Sequence, residues 1–342
     1  MNHDELYTLW VGMVGKVRDL FRRKVDFVYE SRGHDFPNKR FLVIRRGGNC
    51  GLFSYFGTVL GGIRYAVQNG YVPVVDMQTL PNIYLMPNEI GRVNAWEYYF
   101  DQPAGFTLRD IEHAEHVVVQ KDFAWPSIPR TDYDSLTGNN EDHNLWKPII
   151  ARYIRFQPRV IAMCAVARER IFGKSKEKVL GVFLRGTDYV RLRPYLHPVQ
   201  PTVEQVIEDA RNALAEFDCD RLFLVTEDIL IARAFRQSFG DDIVFTVNDN
   251  YIDYRGGFLG DNQPSFIREH ELYQRGMEYV INVKLLSECR YILSSFANCS
   301  CAAALLATEK QVSRYYDIGL YGRFGRIIPN VAKTSRKALH TG

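Results

Sequence analysis

The chain has no Cys-x-x-Cys pair among its six cysteines (Cys50, Cys164, Cys219, Cys289, Cys299 and Cys301), and its eight histidines add no zinc-type pattern. A structural metal is therefore not expected, and the thiols read as reduced, which points to a cytoplasmic protein. No apolar run reaches the length of a membrane span, and no signal peptide opens the sequence. The net charge is only +3, so nothing demands nucleic acid as a partner. Repeats and low-complexity segments are also lacking. What remains is a globular composition, 46% apolar and 24% charged over 342 residues, enough for about two domains. The 20 Tyr and 21 Phe are read first as core, because aromatics fill cores more often than they stack on ligands.

Near the N-terminus, Leu6, Trp10, Met13, Val14, Val17, Leu20, Phe21 and Val25 recur at helical spacing, with Lys16, Arg18, Arg22, Arg23 and Lys24 on the partner face. One reading is an amphipathic helix packed on the protein body. The other is peripheral contact of residues 6–28 with an anionic membrane surface.

After a loop at 31–39, RFLVIRR (40–46) reads as a strand and GGNCG (47–51) as a tight turn. Residues 52–70 read as a helix closed by Gly70, and YVPVVDM (71–77) as a second strand. This is a β-loop-α-β unit of a parallel sheet. Residues 80–160, rich in Asn, Asp, Pro and Trp, read as irregular. The pattern then restarts, with strands at 179–185, 221–228, 242–247 and 290–295 and helices at 202–217, 229–240, 276–289 and 301–308. The expected fold class is α/β, with two doubly wound, Rossmann-like halves facing across a cleft. Residues 1–160 would form the first and 161–342 the second.

The strand ends carry the candidate chemistry. Val179 to Leu184 has the composition of a buried strand, and it ends at Arg185, followed by Gly186, Thr187, Asp188 and Tyr189. A guanidinium there is costly to bury unless an anion or carboxylate meets it. Arg185 is thus either paired with Asp188 or placed for a charged ligand. Thr226, Glu227 and Asp228 end the next strand, where they could cap a helix or hold a ribose. Ser294 and Ser295 lie in the same layer, as a cap or as phosphate ligands. The RRGGNCG turn, with Gly48 and Asn49, opens a helix whose N–H groups could cradle a phosphate, or it is a mere turn. Four polar strand ends on one edge favour a functional cleft.

In combination these stretches resemble the fucosyltransferase superfamily of GT-B fold, which includes α-1,2- and α-1,6-fucosyltransferases and protein O-fucosyltransferases. Its HxR(R/G)(T/G)D(Y/K) strand end matches Phe183 to Tyr189, and its GxGNQxFxY-like turn is echoed by Gly47 to Tyr55. Its TD/TED and SSF strand ends match Thr226-Glu227-Asp228 and Ser294-Ser295-Phe296. The resemblance spans about residues 40–77 and 179–306.

The resemblance implies an inverting, metal-independent glycosyltransferase without a cofactor, moving fucose from GDP-fucose to a glycan. That acceptor would be a surface-polysaccharide or glycoconjugate intermediate, lipid-linked if the basic helix touches membrane. It implies that Arg185 binds the donor diphosphate, with Gly48, Asn49, Thr187, Tyr189, Thr226, Glu227, Asp228, Ser294, Ser295 and Phe296 around the donor. The family's histidine is Phe183 here, a frequent second arginine is Gly186, and the guanine-reading acid falls near Asn282. Glu278, one turn earlier on the same face, is the carboxylate that could take both guanine N–H donors. The catalytic base is open among Asp188, Glu97 in NAWEYYF and His197 in YLHPVQP. The alternatives are a transferase for another nucleotide sugar, such as a UDP-sugar, and a non-catalytic glycan- or nucleotide-binding module.

Overall fold

The computed structural model describes residues 27–121, 141–173, 175–264, 267–322 and 326–328. The expected N-terminal amphipathic helix lies outside them, apart from Phe27 and Val28, which belong to a strand rather than a helix. In chain order the elements are β1 (Phe27–Glu30), β2 (Asp35–Arg45), α1 (Leu52–Gln68), β3 (Val72–Asp76), β4 (Ala114–Gln120) and α2 (Glu141–Tyr153). Then come α3 (Pro158–Phe172), β5 (Val179–Phe183), α4 (Thr187–Leu192), α5 (Val203–Glu216), β6 (Arg221–Val225), α6 (Ile229–Phe239) and β7 (Val244–Phe245). They are followed by β8 (Ile252–Asp253), β9 (Gln263–Pro264), α7 (Glu271–Leu286), β10 (Tyr291–Ser294), α8 (Asn298–Leu306) and β11 (Val312–Tyr315).

Two larger sheets result, in agreement with the α/β class. The first has the order β1-β4-β2-β3, with β2 parallel to both neighbours and β1 antiparallel at the edge. The second has the order β11-β10-β5-β6-β7, parallel throughout. In this sheet the chain runs outward from β5 to β7, then returns to the other side of β5 to lay down β10 and β11. The strand order therefore reverses between β5 and β10. At such a reversal the loops leave in opposite directions and open a crevice beyond the carboxyl ends of the strands. Phe183 is in register with both Val225 and Ser294, so β5, β6 and β10 stop level. Arg185, Thr226, Glu227 and Ser295 consequently emerge along one edge.

One apolar cluster ties the sheets together. Helix α1 buries Leu52, Phe53, Tyr55, Phe56, Val59, Leu60 and Ile63, and it packs directly on α8. From Cys299 to Leu306 every residue of α8 is buried, as expected of a helix apolar on all faces. Phe56, Trp96 and Phe100 stack nearby, with Trp96 and Phe100 centroids 4.4 Å apart. Each fully buried side chain of this size contributes about 2 kcal/mol.

The stretch 80–160, read as irregular, contains β4, all of α2 and the start of α3. Strand β4 is interior to the first sheet, between β1 and β2, although polar segments flank it. The loop at 31–39 ends early, because β2 begins at Asp35 and carries a register shift before Arg40. The boundary read at 160/161 falls inside α3, a helix that packs against α7 and β6. The second sheet also has an edge strand, β11, whose alternating exposure goes with a mixed sequence, VSRY, that carries no strand signal.

Candidate functional site

At the end of β5, the Leu184 N–H still donates to the Val225 carbonyl at 3.1 Å, after which the chain leaves the sheet. The Arg185 N–H donates to Ser295 Oγ at 3.4 Å. Its Nη2 donates to both Asp188 oxygens, at 2.9 and 3.1 Å, and its guanidinium sits 4.5 Å from the Tyr189 ring centre. Nε is buried and donates to nothing among the described residues. Burial works to discharge Arg185, but the fields of Glu227, Tyr189 and Asp188 outweigh it, so the group is held charged well above its ordinary range. Both readings of Arg185 thus coexist: it is paired with Asp188 and still has a donor to spare.

Asp188 has no such freedom. It also accepts from the N–H groups of Tyr189 (2.9 Å) and Leu259 (3.0 Å), and only 3% of it is exposed. Glu227 accepts from the Gly186 N–H at 3.0 Å and the Thr187 hydroxyl at 2.9 Å. That clamp holds Thr187 at φ 45°, a left-handed conformation costly for a β-branched residue. Burial pushes the Glu227 carboxyl up, and Arg185 opposes the shift. Gly186 admits no side chain, because an added Cβ would stand 2.4 Å from Asp228 Oδ2. Asp228 takes the capping option: it accepts from the Leu230 N–H at 2.8 Å, at the start of α6.

These groups border a cavity of about 420 Å³. The walls include Phe183, Arg185, Asp188, Tyr189, Thr226 and Glu227 on the second-sheet side. Ser294 and Ser295 are fully buried behind the wall, with the Ser294 hydroxyl donating to the Ser295 carbonyl at 2.9 Å. Phe296 stacks on Tyr315. The cavity surface next to them is Ala297 and Asn298, at the start of α8. Thr187 and Gly48 stand off the surface as well, and Gly48 serves the turn through its φ of 88°.

The opposite wall is the turn between β2 and α1. Arg46 donates to Ser54 Oγ (2.9 Å) and Thr58 Oγ1 (3.1 Å). The Leu52 N–H at the head of α1 donates to the Tyr84 hydroxyl at 2.7 Å. Asn49 Nδ2 donates to Asp261 Oδ1 at 2.8 Å, and through that contact the 254–262 loop arches from the Asp188 side to the α1 side. Tyr279 of α7 lies between the walls, edge-on to Phe53.

Glu278 and Asn282 both line the cavity, as their i,i+4 spacing implies. Arg268, however, holds both oxygens of Glu278: Nη1 donates to Oε1, and Nη2 to Oε2 at 3.0 Å. Asn282 has no side-chain partner among the described residues. Glu97 is not at the cavity. It accepts from Gln102 (2.8 Å) and Asn94 (3.3 Å), two side chains whose amides also satisfy the backbone of β3. His197 does line the cavity, its ring edge-on to Tyr189 and its Nδ1 3.2 Å from the Tyr195 carbonyl.

Arg46, Tyr84, Arg275 and Tyr279 are among the cavity residues that the sequence motifs do not mark. Arg46 had the same signal as Arg185, a guanidinium at the end of a buried strand. Arg275 had none, since exposed arginines are ordinary on helices. Among the described residues, no group of three or more His, Cys, Asp and Glu could hold a metal ion. The triplet Asp218-Cys219-Asp220 precedes β6, at the strand end away from the cavity, where Asp218 pairs with Lys178. No helix among the described residues is long and apolar enough to cross a membrane.

No family model matches this chain, and no curated protein does. Among solved structures it is similar to NodZ α-1,6-fucosyltransferase soaked with GDP-fucose, at 15% identity over 79% of this chain and 93% of that one, with a TM-score of 0.46. Fucosyltransferase NodZ from Bradyrhizobium gives 15% identity, 79% and 94% coverage and a TM-score of 0.45. POFUT1 in complex with GDP-fucose gives 9% identity, 84% and 100% coverage and a TM-score of 0.45.

Proposed function

We propose that this chain is an inverting, metal-independent glycosyltransferase of GT-B type, with GDP-fucose as donor and a glycan hydroxyl as acceptor. The observation that carries the reading is Arg185. It is a charged guanidinium at the topological reversal of a parallel sheet, fixed on one side by Asp188, with a buried nitrogen unpartnered among the described residues and a cavity in front of it. The motif resemblance supplies the substrate class. The second sheet would hold the donor and the first sheet the acceptor.

In the proposed step the bond from the anomeric carbon to the diphosphate breaks, and its electron pair leaves with the diphosphate. Arg185 and the N–H groups at the start of α8 stabilise that charge, which grows as the bond lengthens. An acceptor oxygen bonds to the opposite face of the anomeric carbon and gives up its proton. With Asp188 taken by its donors and Glu97 remote from the cavity, His197 is the base we propose. Its Nδ1 faces a carbonyl and so carries the proton, leaving Nε2 free to accept.

Thermal-shift titration tests the donor. A ligand that binds only the native state stabilises it by about 2.7 kcal/mol at a hundredfold excess over Kd. GDP should raise the melting temperature more than UDP, and GDP-fucose should hydrolyse slowly without acceptor. Absence of both effects would retire the proposal. Turnover should persist in EDTA. Activity that is lost to the chelator and restored by Mn²⁺ would move the protein to a metal-dependent class.

The Asn282 amide favours a second reading, a donor with another base, because a single amide cannot accept from both guanine N–H groups. The two readings separate in Asn282→Asp. If guanine lies there, the new carboxylate should tighten GDP by about 1–2 kcal/mol, roughly tenfold, and leave UDP unchanged. Calorimetry of both nucleotides reads the difference.

A further inference from the structure

Arg275 is a charged side chain in the cavity with no hydrogen bond to a described residue. It projects from the second turn of α7, its side chain is 17% exposed, and none of its nitrogens donates to a described residue. Nε and Nη2 are buried in that state. The nearest carboxylate oxygen, Glu271 Oε1, is 3.9 Å from Nε, beyond hydrogen-bond reach. Glu271 is itself drawn away by Arg268, whose Nε donates to it at 3.0 Å. The cavity's carboxylates are also committed: Asp188 to Arg185, Glu278 to Arg268, and Glu227 to the Gly186–Thr187 turn. A guanidinium enclosed without acceptors is costly, and a protein that keeps one beside a cavity has a use for its donors.

Its surroundings favour an anion. The next residue, Gly276, comes so close to Tyr84 that a Cβ there would stand 3.0 Å from Tyr84 Cδ1, and Arg275 lines the cavity together with Tyr84, whose hydroxyl accepts from the Leu52 N–H at the head of α1. Arg46, held by Ser54 and Thr58 of α1, brings a second guanidinium to the same cavity. Helix α1 has 17 residues, no acidic residue in its first turn and no side-chain cap at Gly51. Its dipole adds positive potential there. Arg185, by contrast, stands at the second-sheet edge, where its N–H meets Ser295 and its guanidinium meets Asp188.

We infer that Arg275 and Arg46 form a second oxyanion subsite, separate from the diphosphate site at Arg185, which receives a phosphate or carboxylate group carried by the acceptor. This rests on the reading of Arg185 as the donor site. An uncharged acceptor would leave Arg275 unmatched, whereas an oxyanion would satisfy it and orient the attacking hydroxyl towards the donor. A paired guanidinium and oxyanion also discriminates against neutral acceptors.

The test uses the full chain, with inorganic phosphate and acetate as probes, followed by thermal shift with and without saturating GDP. Phosphate should stabilise the GDP-saturated protein. Arg275→Gln and Arg46→Gln should each weaken phosphate at least tenfold, Arg275→Lys should retain most of the affinity, and Arg185→Gln should leave it within about twofold. Acetate acting as well as phosphate assigns a carboxylate, and phosphate acting alone assigns a phosphate; either upholds the subsite. Displacement of GDP by phosphate, or wild-type phosphate affinity in Arg275→Gln, overturns it. Comparing wild type with Arg275→Gln in phosphate alone, each checked for a cooperative melt, reads the subsite even if GDP does not bind. In that case the donor proposal fails while the subsite stands.

Discussion

Arg185→Ala should abolish transfer and weaken GDP far more than guanosine. The guanidinium stands at the reversal between β5 and β10, and its buried Nε has no partner among the described residues. A preorganised cationic donor aimed at a leaving diphosphate is worth about 3–4 kcal/mol, or two to three decades in rate. Uncharged guanosine does not meet that charge, so its affinity should fall little. The substitution also strips Asp188 of its cation while leaving the Tyr189 and Leu259 N–H donors in place. A buried carboxylate deprived of its partner destabilises a fold by about 3–5 kcal/mol. Arg185→Met with Asp188→Asn removes both charges, so it should recover stability without recovering turnover. Near-wild-type turnover in Arg185→Ala would reduce the residue to a local ion-pair partner.

Gly276→Ala should be the most damaging small substitution near the cavity. A Cβ at that position would lie 2.0 Å from Tyr99 Oη and 2.4 Å from Tyr99 Cζ, with Tyr84 at 3.0 Å. The Tyr99 ring cannot swing aside easily: it is fully buried, stacked on Tyr273, and its hydroxyl donates to the Tyr273 carbonyl at 3.1 Å. Helix α7 must therefore move away from the Ala95–Tyr98 turn of helix and from Tyr84. Overpacking of a closed core costs about 1–3 kcal/mol or more. Because Arg275 precedes Gly276, the displacement should also carry it away from the head of α1. Urea denaturation should show a midpoint well below wild type, and the surviving folded protein should bind phosphate weakly. Unchanged stability would mean that α7 approaches Tyr99 less closely than the geometry requires.

Much of the second sheet could be read directly from the chain. Its strands β5, β6 and β10 are buried on both faces, so they read as continuous apolar runs bounded by turns and helices. Strand β11 lies at the edge, where one face meets solvent, and its mixed sequence hid it. Strand β4 has an apolar end, but the polar residues around it carry no period, and only its pairing with β1 and β2 reveals an interior strand. Arg185 was legible because the cost of ending a buried strand on a charge is local. Arg46, just past the end of β2, meets the same condition.

The α/β class, the strand ends that carry polar groups, and the shared helix face of Glu278 and Asn282 are all written in the local order of residues. All of these depend on periodicity over a few residues. Tertiary structure alone decided which charge meets which. Arg268 captures Glu278 and draws Glu271 from Arg275, Asn94 and Gln102 hold Glu97 away from the cavity, and Asn49 reaches Asp261 across 212 residues of chain. A carboxylate has several cations within reach in sequence, and its choice depends on distance and burial after folding. For that reason the anion-binding character of Arg275 is a property of the folded cavity, set by partners that its own segment does not specify.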